Sequence, residues 1–152
     1  MLRRLHLIAS TLALVCIATF FLSTIFVELI GSRHSIASLK HLIVSPGLWI
    51  LVPAIIATGA SGVLMSRKRQ GRLVALKKKR MPFIAANGLL VLLPCAIFLN
   101  QWASAGSLDT RFYFVQVIEL IAGATNLALM GMNMRDGLRL SGRLLRVAPH
   151  RQ

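Results

Sequence analysis

Six residues late in the chain, Gln116, Glu119, Gly123, Asn126, Met130 and Asn133, recur at intervals of three and four. That period places them on one face of a helix. The strongly polar residues of the surrounding apolar stretch all lie on it, so the face turns from lipid toward other helices. A glycine within it allows a second helix to come close. An acid in such a stripe has two chemistries open to it. It can respond to protons or cations, or it can be a protonated acid that locks helices together.

Counting 1.5 Å per residue, Asn126 and Asn87 lie at similar depth, roughly 20 Å below the turn that joins their helices. The two asparagines are expected to meet and share hydrogen bonds. The same register carries Gln116 toward Asn100 and Gln101, and Glu119 toward Pro94. Proline has no N–H, so the Leu90 carbonyl lacks its helical donor, and a protonated Glu119 is expected to supply one. Glu119 lies about 10 Å inside the outer boundary. An ionised carboxylate there costs a few kcal/mol, so it must be protonated, paired or wet. Arg33, Lys40 and Arg111 are placed at the outer surface, and of these only Arg111 reaches partway. Glu28, one turn above Thr24, is expected to pair with Arg33, His34, Lys40 or His41 at the interface. Its alternative is a vestibule leading to Glu119. The candidate polar site is thus Glu119, Gln116, Asn126, Asn87, Gln101 and Glu28.

Other ligand chemistry has less to build on. Of the four histidines, His6, His34, His41 and His150, none sits near a helix midpoint, where a bis-histidine haem needs two inward-facing ligands. Cys16 and Cys95 share a depth suited to a soft metal, but buried cysteine usually packs as a small hydrophobe. Met130, Met132 and Met134 alternate and therefore point to different helix faces. No cofactor or metal is assigned. The chain contains no His-Glu-x-x-His, no Gly-x-Ser-x-Gly and no phosphate-binding glycine loop, and it is read as not an enzyme.

The elements that position these residues are four apolar stretches, about 5–31, 42–66, 82–104 and 112–134. Each exceeds the ~20 residues that cross ~30 Å of hydrocarbon as a helix. Helix satisfies the backbone inside lipid, and the alternation of a β-barrel is missing. The first stretch is too long for a signal peptide, and no small-residue cleavage site follows it. In the second, Ala54, Thr58 and Gly62 form a small-residue surface for close packing, either within the bundle or between copies. Trp49, Trp102 and Tyr113 fit an interfacial belt.

The 152 residues suit one domain. Apolar residues make up 56%, and 18 Lys and Arg stand against 4 Asp and Glu. This composition excludes a disordered chain and a disulfide scaffold. Fifteen of the cations fall in the N-terminus, the linker 67–81 and the tail 135–152, and three fall on the other side. That asymmetry predicts both termini in the cytoplasm. Arg67, Lys68, Arg69, Lys77, Lys78, Lys79 and Arg80 are candidate contacts for anionic lipid headgroups. The linker lacks the aromatic residues that stack nucleic-acid bases, so no nucleic-acid partner is expected. Arg135, Arg139, Arg143 and Arg146 share one face of a short amphipathic tail helix, with Leu140, Leu144 and Val147 flanking the other.

The sequence therefore predicts an all-α, integral membrane four-helix bundle in a single domain. Charge pattern and size suit a bacterial inner membrane. The leading functional expectation is an accessory or structural membrane protein whose polar stripe packs helices, alone as a homo-oligomer or with a partner membrane protein. A small oligomeric proton- or cation-coupled transporter using Glu119 is the alternative, and a haem- or metal-handling membrane protein the second.

Overall fold

A computed structural model describes residues 1–66 and 72–140, and all of its regular elements are helices. Four helical segments are long and apolar enough to cross a membrane: Leu2–Ile30, Arg33–Met65, Lys79–Ser104 and Thr110–Arg139. Large apolar side chains cover the outside of the bundle. Leu22, Phe26, Ile56, Leu90, Phe114 and Ile121 are each more than 60% exposed. An exposed apolar coat of this extent is rare on soluble proteins and is compatible with a membrane-facing surface.

Helix α1 (Leu2–Ile30) runs without Pro or Gly and ends where the Gly31 N–H reaches the Val27 carbonyl at 2.8 Å. Gly31 and Ser32 are extended, and the Ser32 hydroxyl accepts from the Ser35 N–H at 3.2 Å, starting a new helix. This α2 (Arg33–Leu42) is amphipathic. Ile36 and Lys40, one turn apart, are buried, whereas Arg33, His34 and His41 are exposed. It occupies the stretch that the hydropathy pattern assigns to a loop. The stretch was missed because its four charged or histidine side chains depress its hydropathy without disturbing its helical period.

Segment Ile43–Leu48 widens and breaks at Ser45, whose φ of −138° and ψ of 112° are not helical. Beyond it, α3 (Trp49–Ser66) returns antiparallel along α1. Ala13 and Ile17 of α1 pack on Leu51 and Ala54 of α3, and the His6 ring nitrogen lies 2.9 Å from the Ser61 hydroxyl. Ala54, Ser61 and Gly62 are buried, so the small-residue surface of α3 serves contacts inside the bundle.

Helix α4 (Arg72–Asn87) leads through the wide turn Gly88–Leu92 into α5 (Leu93–Ser104). The Leu93 N–H reaches back five residues to the Gly88 carbonyl, and the chain continues as helix through Pro94, which has no N–H to give. In the turn 105–109, Gly106 takes the left-handed φ of 73°. Asp109 then caps α6 (Thr110–Leu140), its carboxylate accepting from the Arg111 and Phe112 N–H groups at 3.1 Å each. Helix α6 lies against α1, α4 and α5.

The described helices extend past the apolar stretches, so residues 72–81 and 135–140 are helical. Arg67, Lys68, Arg69 and the tail beyond Leu140, with Arg143 and Arg146, lie outside the described residues. Ile36, Cys95, Leu99, Ala103 and Phe112 form a core at the upper end, where α1 turns into α2 and α5 into α6. The lower end holds His6, Ser61, Arg80 and Asp136.

Candidate functional site

Three polar linkages join α6 to other helices at three levels. At the upper end, Lys40 Nζ lies 2.7 Å from Glu119 Oε2. Gln116, one turn above, donates from Nε2 to the same oxygen at 2.9 Å. In the middle, Asn87 Nδ2 donates to Asn126 Oδ1 and to the Ala122 carbonyl, both at 2.9 Å. Asn126 Nδ2 in turn reaches the Ile84 carbonyl at 3.4 Å. At the lower end, Arg80 donates to Asp136 at 2.8 Å, and Arg135 lies 3.7 Å from its other oxygen. Gly123 lets the Phe21 ring of α1 pack onto α6, since a Cβ there would stand 3.3 Å from that ring.

These contacts place the sequence-derived candidates. Asn87 and Asn126 meet as the register count expects. Glu119 does not serve the Leu90 carbonyl at Pro94. It takes the Lys40 ammonium, because α2 lies on α5 and carries Lys40 inward. Lys40, placed at the surface by sequence, is 1% exposed, and Arg111 is exposed and apart from the acid. Glu28 forms no ion pair among the described residues, and its Oε1 is buried without a hydrogen-bond donor. Gln101 is exposed and stays outside the cluster, and Asn100 faces Ser104 at 3.5 Å rather than Gln116.

Of the basic residues expected at headgroups, Lys79 is exposed, while Arg80 is engaged by Asp136. Helix α4 carries Lys77 and Lys78. His34 and His41 are exposed, His6 contacts Ser61, and His150 lies outside the described residues. Cys95 sits in the upper core, whereas Cys16 packs beside the α1–α3 contact. Among the described residues, no three of His, Cys, Asp and Glu converge on a point that suits a metal ion.

Sequence reasoning missed three partners: Lys40, Asp136 and Ser61. Lys40 was legible in principle, since Ile36 and Lys40 are four apart behind a serine N-cap. Nothing in the sequence couples His6 to Ser61.

Two cavities flank the asparagine pair. The upper one, about 330 Å³, lies between α1 and α3 on one side and the Gly88–Leu92 turn and α6 on the other. Thr24, Glu119 and Asn126 supply its polar wall. The lower one, about 250 Å³, is lined in part by His6, Ser10, Thr58 and Asn133. Ile55, Ile84 and Ala85 belong to both. No family model, curated protein or solved structure matches the chain.

Proposed function

We propose that the chain is a small multi-pass membrane protein that is not an enzyme and that acts as an accessory or structural component. It is seated in a bacterial inner membrane with both termini in the cytoplasm. The observation that carries this reading is the set of three polar linkages on α6. Lys40–Glu119, Asn87–Asn126 and Arg80–Asp136 bind three levels of the bundle together. Polar groups engaged in this way hold helices in register. The orientation rests on charge. With Lys40 drawn inside, Arg33 and Arg111 are the cations left at the upper end, against fifteen in the N-terminus, linker and tail. Exposed Lys79 then faces anionic headgroups.

One observation favours coupled transport as a second reading. The upper cluster holds two acids for one lysine, and Glu28 Oε1 has no donor. Proteoliposomes carrying a pH-sensitive dye separate the two readings. An accessory protein gives no proton flux under any imposed ion gradient. It also purifies from its native membrane in fixed ratio with another subunit or copy. A flux that is present in the wild type and lost in Glu119→Gln would replace the accessory reading with transport.

A further inference from the structure

The upper cluster is unbalanced in hydrogen bonding. Lys40 pairs with Glu119, and Glu28 forms no ion pair among the described residues. Lys40 and Gln116 both donate to Glu119 Oε2, which leaves Oε1 without a donor among the described residues. Glu28 Oε1 and Gln116 Oε1 are buried in the same condition, and Gln116 is 3% exposed. All the missing partners are donors, and of the three residues Glu119 is the one whose side chain lines the neighbouring cavity.

Glu119 also forms part of the wall of the 330 Å³ cavity. Apart from Thr24 and Asn126 the remaining wall is hydrocarbon, including Phe20, Leu51 and Ile55. Val52, Ile56 and Leu89 are exposed residues on its rim, so it opens onto the apolar outer surface of the bundle. The volume lies at the small end of the range for small-molecule sites.

We propose that this cavity binds a single-chain amphiphile with a protonated amine head, whose ammonium donates to Glu119 while its chain lies along Phe20, Leu51 and Ile55. An anionic head has no cation to meet, because Lys40 is 1% exposed and already committed to Glu119. A neutral apolar guest leaves the bare oxygens bare. A quaternary ammonium supplies charge but no N–H donor. The site stands whichever partner the bundle serves.

The test is equilibrium binding of radiolabelled decylamine to the full chain in phosphatidylcholine nanodiscs, corrected with empty discs. One saturable site is expected, with decanol and decyltrimethylammonium at least tenfold weaker competitors. Glu119→Gln lowers decylamine affinity at least tenfold. That variant also strands Lys40, so Ala85→Phe provides a second arm. Ala85 lines the cavity, makes no side-chain hydrogen bond, and its enlargement fills the space. Ala85→Phe is expected to abolish saturable binding. Equal competition by decanol, or undiminished binding in Ala85→Phe, overturns the proposal. The titration is repeated in phosphatidylethanolamine discs. That lipid bears its ammonium on a two-chain, phosphate-bearing molecule, so unchanged binding is expected there, and weakened binding would overturn a single-chain amine as the occupant.

Discussion

Asn87 of α4 donates to Asn126 of α6 at 2.9 Å, and each also reaches a backbone carbonyl of the other's helix. Asn126 is 1% exposed, so its amide has no water to fall back on. A double-mutant cycle with Asn87→Ala and Asn126→Ala is expected to give a coupling of about 0.6 kcal/mol, the usual size for such bonds in membrane proteins. Unfolding followed by steric trapping in bicelles measures it. Strict additivity of the two losses would show that the amides do not act together.

Lys40 and Glu119 form the more consequential pair. Lys40→Met leaves an acid without its cation, and breaking a buried pair from one side costs about 3–5 kcal/mol. The double variant Lys40→Met with Glu119→Gln removes both charges. It is expected to recover most of that loss in the same unfolding measurement. If the double variant is no more stable than Lys40→Met alone, the pair is not what holds α2 in place.

At the lower end, Asp136 is addressed by Arg80 at 2.8 Å and by Arg135 at 3.7 Å. Arg80→Ala leaves a carboxylate that is 3% exposed with only its 3.7 Å neighbour, whereas Asp136→Ala frees two cations that are 21% and 55% exposed and can reach solvent. The former is expected to lower stability by about 2 kcal/mol and the latter by about 1 kcal/mol. Thermal denaturation in detergent ranks them, and the reverse order would count against the geometry.

Two glycines in one helical span should behave in opposite ways. A Cβ on Gly47 would stand 2.7 Å from the Phe20 ring and 2.9 Å from the Leu42 carbonyl. The carbonyl cannot yield as a side chain can, so Gly47→Ala is expected to cost about 1–3 kcal/mol. Gly59 has no neighbour within 4 Å of such an atom. Gly59→Ala is expected to be neutral or stabilising by up to about 1 kcal/mol. Melting temperatures of the two variants give the comparison.

Orientation is open to direct labelling. In a Cys16→Ala, Cys95→Ala background, Ser107→Cys is expected to react with a membrane-impermeant maleimide on intact cells. Lys79→Cys is expected to react only after permeabilisation. The opposite pattern would place both termini outside.

Four long apolar helices and the asparagine pair were legible because both rest on long, regular quantities. Apolar length selects the helices, and rise per residue fixes which positions of an antiparallel pair share a level. The acid–lysine pair was not legible by the same means. Its lysine lies on a ten-residue helix whose charges resemble those of a loop. Its direction depends on the break at Ser45 and on packing against α5, which are tertiary facts. The outward position of Gln101 has a related cause. It lies in the last turn of α5, where a small shift of phase turns a side chain from core to surface.

The order in which the chain is made gives the Lys40–Glu119 pair a history. The two residues are 79 apart in sequence. At about 5–20 residues per second, the ribosome needs roughly 4–16 s to pass from one to the other. Throughout that interval the lysine exists without its final partner, and Glu28 is the sole acid already synthesised ahead of it. In the membrane seating proposed above, the second apolar helix is made while Glu28 is the one acid upstream of this lysine. The Lys40–Glu119 contact can form only once the fourth long helix has been made, so the upper end of the bundle closes late.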